Sequence, residues 1–210
     1  MKRYIRSAVA SPQDDDLSTR RELARTTRRP ELLQQCFDDE HYLVQGALLY
    51  NPNTPDYMLD KLCSNTFFAS QASCSSRVSP EVLRKILSHA RGSGEWDGVY
   101  ENLAGNPKSP EDVLRKLWDR CIYRSVIIRN PSVPLNILKQ AAKSDDSYLR
   151  QGVAENANCP TDILVRLAKD PNKDVKEAVS AHKNTPEVIL QELAPESYIA
   201  RCRLNGVEFW

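Results

Sequence analysis

Seven of the thirteen prolines recur at nearly fixed steps, and that spacing constrains the chain more than any other feature. Pro30, Pro55, Pro80, Pro110, Pro134, Pro160 and Pro186 are separated by 25, 25, 30, 24, 26 and 26 residues. Self-similarity at a fixed period of this size is the mark of a tandem repeat. Three residues after each proline stand Leu33, Met58, Leu83, Val113, Ile137, Ile163 and Ile189. Seven residues after stand Phe37, Leu62, Leu87, Leu117, Ala141, Leu167 and Leu193. Four residues after, Leu59, Leu114, Leu138, Leu164 and Leu190 are apolar, whereas Gln34 and Arg84 are not. Apolar residues at these steps form one stripe of a helix, so each repeat holds a proline-led helix.

Local chemistry explains where these helices start. Thr54-Pro55, Ser79-Pro80, Ser109-Pro110 and Thr185-Pro186 predict a hydroxyl at the N-cap and proline in the first helical position. Glu81, Glu111, Asp112, Asp162 and Glu187 place a carboxylate at the positive end of the helix dipole. Four residues before the prolines come Thr26, Asn51, Ser76, Asn106, Asn130, Asn156 and His182, which suit a polar turn. Upstream blocks such as 43–49, 149–154 and 175–181 carry small and apolar residues at three- and four-residue steps, predicting a second, short helix. One such pair of helices cannot cover its own apolar face, so neighbours are expected to stack.

The runs Asn51-Pro52-Asn53-Thr54-Pro55, Asn106-Pro107-Lys108-Ser109-Pro110 and Asn130-Pro131-Ser132-Val133-Pro134, with Leu164-Val165-Arg166-Leu167-Ala168, resemble the leucine-rich repeat variant family. The likeness spans residues 17–195 and is weaker in the first and third units. It implies an all-α fold, a right-handed solenoid of about seven short repeats, each pairing an α-helix with a shorter α or 3₁₀ helix. Some members carry a cysteine-rich iron–sulfur module ahead of the repeats. Here the first cysteine, Cys36, already lies inside a repeat, so the cluster is not carried over and no cofactor is expected.

Residues 1–16, with Asp14-Asp15-Asp16, read as an N-terminal cap or tail whose acidic run is solvated. Residues 196–210, ending in Trp210, read as a C-terminal cap. The 30-residue step contains an insertion at 90–96, where Trp96 either covers the adjoining helix or belongs to a binding loop. The six cysteines show no C-x-x-C and read as reduced, mostly buried small apolar side chains. No apolar run is long enough to cross a bilayer, and no continuous apolar segment follows the basic start, so no membrane partner, no secretory signal and a cytoplasmic monomer are expected.

Function is read from what remains. No glycine-rich phosphate loop, H-E-x-x-H or G-x-S-x-G occurs, and no metal-ligand spacing is found, so no catalytic or metal residue is nominated. Carboxylates at Asp38-Asp39-Glu40 and Asp145-Asp146 read as solvated turns. Stacked repeats offer an extended surface for macromolecules. Ten residues before the later prolines stand Tyr100, Arg124, Arg150 and Lys176; the last three form a basic ladder, with Arg120 and Arg129 nearby. These residues and Trp96 are the candidate partner-binding set. They either solvate helix faces and pair locally, or recruit an acidic partner. The expected function is a non-catalytic protein-binding scaffold, such as an inhibitor, immunity or adaptor protein. Nucleic-acid binding by the same ladder is the alternative, disfavoured by a net charge of +1 and few aromatics beside the basic residues. An enzyme with a site assembled from distant residues is the third.

Overall fold

The computed structural model describes residues 16–91 and 94–206. Among them every regular element is helical, and none is a strand. The chain divides into two compact units, 1–110 and 111–210, each considered by itself. In the first lie α1 (Leu17–Thr26), α2 (Pro30–Phe37), α3 (Tyr42–Ala47) extended by a 3₁₀ turn (Leu48–Tyr50), α4 (Asp56–Cys63), α5 (Thr66–Ser73), α6 (Pro80–His89) and α7 (Asp97–Gly105). In the second lie α8 (Glu111–Asp119), α9 (Arg124–Arg129), α10 (Leu135–Ala141), α11 (Ser147–Glu155), α12 (Thr161–Leu167), α13 (Lys173–Ala181), α14 (Glu187–Leu193) and α15 (Tyr198–Leu204). Odd-numbered helices are the first helices of each repeat (A helices), with α15 following the seventh, and the even-numbered α2 to α14 are the proline-led ones (B helices); the A helix is the shorter of the pair in repeats two, three and five, but the longer in repeats one, six and seven, against the expectation. The 3₁₀ turn is confined to repeat two; the other described A helices are α-helical.

The apolar stripe is the core. All seven residues three places after the prolines are buried, as are Leu114, Leu138, Leu164 and Leu190 four places after. The two exceptions have a structural cause. In α2 and α6 the proline is itself the first helical residue, whereas α4, α10, α12 and α14 begin one residue later. The earlier start turns the buried face by one residue, to Leu32, Leu33 and Cys36 in α2 and to Val82, Leu83, Ile86 and Leu87 in α6. Gln34 and Arg84 therefore fall off the core face.

The predicted hydroxyl caps hold only at Ser79, whose Oγ accepts from Val82 N at 3.4 Å. Thr54, Ser109 and Thr185 instead donate backwards, to the carbonyls of Leu48, Leu103 and Val179 at 2.7, 2.5 and 2.5 Å. A preceding-helix carbonyl six residues upstream is an orphan acceptor, and the buried hydroxyl satisfies it. Side-chain caps serve mainly the A helices: His41, Asn65, Asp146, Asn172 and Ser197 each accept from a first-turn N–H.

Five of the seven polar residues four places before the proline are buried, Asn51, Asn106, Asn130, Asn156 and His182 at 6 % exposed or less, whereas Thr26 and Ser76 are exposed. Asn51, Asn106 and Asn156 each reach two ways. Asn51 Oδ1 accepts from Asn53 N at 2.9 Å, closing its own turn, while Nδ2 donates to Ala24 O and Thr27 O at 2.8 and 2.9 Å in the preceding repeat. Asn106 does the same with Lys108 N, Ser73 O and Ser75 O. Asn156 accepts from Asn158 N and donates to Ile128 O and Asn130 O. One side chain thus shapes the turn and fastens it to its neighbour.

His182 performs the same task with a ring. Its Nδ1 accepts from Asn184 N at 3.1 Å, so Nε2 carries the hydrogen and donates to Asn156 O at 2.9 Å. Burial holds its pKa below 6.5, because protonation would add a buried charge and abolish the Nδ1 acceptor. The unfolded chain then binds the extra proton first. Stability from the neutral ring is fully present above about pH 6.5 and declines as pH falls below it. His182→Asn, which keeps donor and acceptor without titrating, is expected to flatten this decline when urea midpoints are compared between about pH 7.5 and 5.5. An unchanged slope would count against this role.

Within the second unit, α9, α11, α13 and α15 pack side by side, as do α1 with α3 and α5 with α7 in the first. Gly152 permits the α9–α11 approach: a Cβ there would sit 3.1 Å from Ile128 Cγ2. At the C-terminal end, Arg203 of α15 donates to Ser180 O and His182 O at 2.7 and 2.8 Å, the acceptor pair an asparagine takes elsewhere. The expectations for residues 1–15, and for Trp210, fall outside the described residues.

The turn after α8 departs from the rest. Cys121 N donates to Trp118 O at 2.9 Å and Ile122 N to Leu117 O at 3.2 Å, a Schellman closure with Cys121 at φ 59° where glycine is usual. Cys121→Gly should raise stability by about 0.5–1 kcal/mol in thermal unfolding by relieving the left-handed strain; a loss would show that the side chain matters more than the backbone.

All six cysteines are free, but only Cys36, Cys63 and Cys159 are buried; Cys74 and Cys121 are exposed, so the mostly-buried reading is half right. Desolvation pushes the buried thiols up, Cys36 to about 11 and Cys63 and Cys159 to about 12, so they behave as inert packing groups.

Candidate functional site

The basic ladder exists as a register, but most of its charge is spent inside the fold. Arg150 of α11 makes a two-pronged contact with Asp170, Nε to Oδ2 at 2.7 Å and Nη2 to Oδ1 at 3.0 Å, and both side chains are largely buried. Lys176 of α13 pairs with Glu196. In repeat one, Arg20 of α1 pairs with Asp39 at 3.2 Å. In each case the cation, ten residues before the proline, meets an acid nine or ten residues after it. The pair ties the start of the A helix to the loop that follows the B helix. Asp39 is 5 % exposed and Asp170 is 7 % exposed, so Asp39 is not the solvated turn acid its sequence suggested. The Arg150 guanidinium holds the Asp170 carboxyl below the usual carboxylate range.

The remaining candidates scatter. Tyr100 is 2 % exposed, a core residue of α7, and presents no surface to a partner. Its apolar ring is buried where the other repeats place a polar side chain. Arg129 is exposed and donates to Glu155 Oε2 at 2.8 Å. Arg120 is exposed at the end of α8, and Trp96, half-buried, precedes α7.

Arg124 alone of the three rungs meets no carboxylate. Ser144 stands ten residues after Pro134, where Asp170 and Glu196 stand in the next two repeats. The Arg124 guanidinium lies over the Trp118 ring at 4.7 Å, with Nη2 3.0 Å from Cys121 Sγ and Nε buried without a partner. Trp118 is itself fixed, its indole N–H donating to Gln140 Oε1 at 3.0 Å. These residues line a cleft of about 520 Å³ with Lys139, Lys143 and Ser144.

The first unit has a cleft at the same place in its second repeat. Phe37, Gln45, Lys61, Asn65 and Phe68 line about 610 Å³. Here both lock positions are uncharged, Gln45 and Asn65, and again a cation, Lys61, lies over an aromatic ring, Phe37, at 5.7 Å. Where the ion pair is present the loop edge is tied down; in these two repeats it is open.

In each unit exposed aromatics stand at the starts of A helices. Tyr42, Phe67, Tyr148 and Tyr198 are 48, 48, 73 and 64 % exposed, each within the first two residues of an A helix. Tyr57, Leu135 and Val188 are exposed at the starts of B helices. In the first unit His41, Tyr42, Phe67 and Phe68 form a continuous series of ring contacts, with centroids 5.0 to 5.5 Å apart. Isolated exposed apolar residues are ordinary, whereas a contiguous aromatic group is a feature of interaction surfaces. Sequence reasoning missed these residues, although each is an aromatic directly after, or one beyond, a polar N-cap and off the apolar stripe. Among the described residues no cluster of three metal-ligating side chains occurs, and no helix is long and apolar enough to cross a membrane. Comparison of the chain with protein-family models, curated proteins and solved structures found no match.

Proposed function

We propose that the protein is a non-catalytic helical-repeat scaffold that binds a polypeptide through the edge formed by the loops from B to A helices, as an inhibitor, immunity or adaptor protein would. The repeats are taken to continue as a right-handed solenoid of the leucine-rich repeat variant type, in the cytoplasm and as a monomer. The supporting observation is that, among the described residues, each unit places exposed aromatics at the starts of its A helices and holds an open cleft beside a loop from a B to an A helix: Tyr42 and Phe67 in the first unit, Tyr148 and Tyr198 in the second. Within each unit the loops from A to B helices are instead taken up by hydrogen-bonded asparagine turns. Pairing of Arg129, Arg150 and Lys176 with acids removes the run of free cations that a phosphate backbone requires.

The test is site-specific photo-crosslinking in producing cells. A benzoylphenylalanine at Tyr42, Phe67, Tyr148 or Tyr198 should yield the same polypeptide adduct, and one at Lys108 or Asn158, in the loops from A to B helices, should not. Absence of adducts, or equal adducts from both groups of positions, would overturn the reading. Retention of duplex DNA or RNA with a steep salt dependence would replace it with nucleic-acid binding.

A further inference from the structure

We propose that the cleft around Arg124 takes a carboxylate side chain from an acidic segment of the partner polypeptide, which supplies the acid that repeat five lacks. This rests on the protein-binding reading above and names the chemistry of one contact within it.

Arg150 and Lys176 stand ten residues before their prolines and are met by Asp170 and Glu196, ten residues after. Arg124 and Ser144 occupy the corresponding places, and both line the cleft. The register that joins cation to carboxylate in the next repeats is therefore kept, with the carboxylate replaced by Ser144. Arg124 is also prepared for a ligand. The Trp118 ring beneath it and the Gln140 contact that holds the ring fix the guanidinium plane before binding, and its Nε–H is buried without an acceptor. A pre-organised planar fork loses little freedom when a carboxylate arrives. Lys139 and Lys143 add two exposed ammonium groups at the rim, and no carboxylate lines the cleft. Neither acid next to Ser144 in sequence lines the cleft, and Asp146 caps α11 through Tyr148 N at 2.9 Å. Steering by the lysines and a directed contact at Arg124 together suit aspartate or glutamate flanked by further acids.

The probe is an acetylated octaglutamate peptide, with octaglutamine, inorganic phosphate and a short RNA duplex as comparisons, titrated against the full chain labelled with ¹⁵N. The octaglutamate is expected to shift the Trp118 indole and Arg124 Nε–H resonances, and octaglutamine to leave them unmoved. Arg124→Gln should weaken binding at least about tenfold. Ser144→Asp is the decisive variant. It restores the internal acid, so it should lose the peptide by a similar factor while raising the melting temperature, an outcome that misfolding would not produce. The proposal is overturned if octaglutamate causes no shift at about 1 mM, if Ser144→Asp binds as well as the wild type, or if phosphate or RNA shifts the same resonances at equal or lower concentration. Failure here with edge-specific cross-linking intact would discard the carboxylate contact alone; loss of the cross-links would discard the scaffold reading itself.

Discussion

Asn156→Ala is expected to be among the most damaging single substitutions, lowering stability by about 3–5 kcal/mol in urea unfolding at neutral pH. The side chain is 1 % exposed and makes three hydrogen bonds, to Ile128 O, Asn130 O and from Asn158 N. Truncation leaves Ile128 O and Asn158 N without their partner, each worth about 1–3 kcal/mol and partly offset by whatever water enters, while Asn130 O loses one of two donors and keeps Val133 N at 3.1 Å. Leucine at the same place should be no better, because it fills the volume without answering any of the three groups. Aspartate should be no better than alanine at neutral pH, because it keeps the turn acceptor but buries a carboxylate oxygen against the Ile128 and Asn130 carbonyls. Repeats communicate mainly with their neighbours, so the loss should appear first as exchange of amides in α9 and α11. A loss under about 1 kcal/mol would mean that the buried asparagines do not join the repeats.

The second large effect is expected at the Arg150–Asp170 pair. Asp170→Ala removes a buried partner and leaves the guanidinium facing an apolar gap, with a predicted cost of about 2–4 kcal/mol. Asn172 N also loses its acceptor. Glu196→Ala, at the same register position, should cost no more than about 1 kcal/mol, because that carboxylate is mostly exposed. The pH dependence separates the two. The folded-state pKa of Asp170 lies below 3.8, so its contribution is complete above that value and disappears as pH falls through and below it. The stability gap between wild type and Asp170→Ala should therefore close in acid. A gap independent of pH would point to packing and not charge as the source.

Much of the fold is legible in the sequence because helical periodicity and proline placement are local signals. The stripe three, four and seven residues after each proline is the buried face, and even Gln34 and Arg84 mark the two helices that begin a residue early. The site was less legible, for reasons of distance. Arg150 and Asp170 are twenty residues apart, and nothing in their separate neighbourhoods announces that one loop returns to the start of the preceding helix. Asp39 looks like a turn acid until its burial is seen. Thr54 and Thr185 look like N-caps, since hydroxyl-then-proline fits that role, yet each carbonyl six residues back is a closer unmet need. Tyr100 shares the ladder's register and not its exposure, because a helical position defines a direction and packing decides what lies there. The open cleft was visible only as a missing acid, Ser144, which acquires meaning once the pairs beside it are known.

The proposed scaffold function requires that the repeats stack in a row. Small-angle X-ray scattering from the monomer tests this directly. A compact globule of this length has a radius of gyration of roughly 17 Å. Seven helix pairs spaced at the usual 8–10 Å predict roughly 20 Å or more, with an elongated pair-distance distribution. A value near the compact one, with a symmetric distribution, would contradict the stacked array and remove the extended edge on which the proposed partner sits.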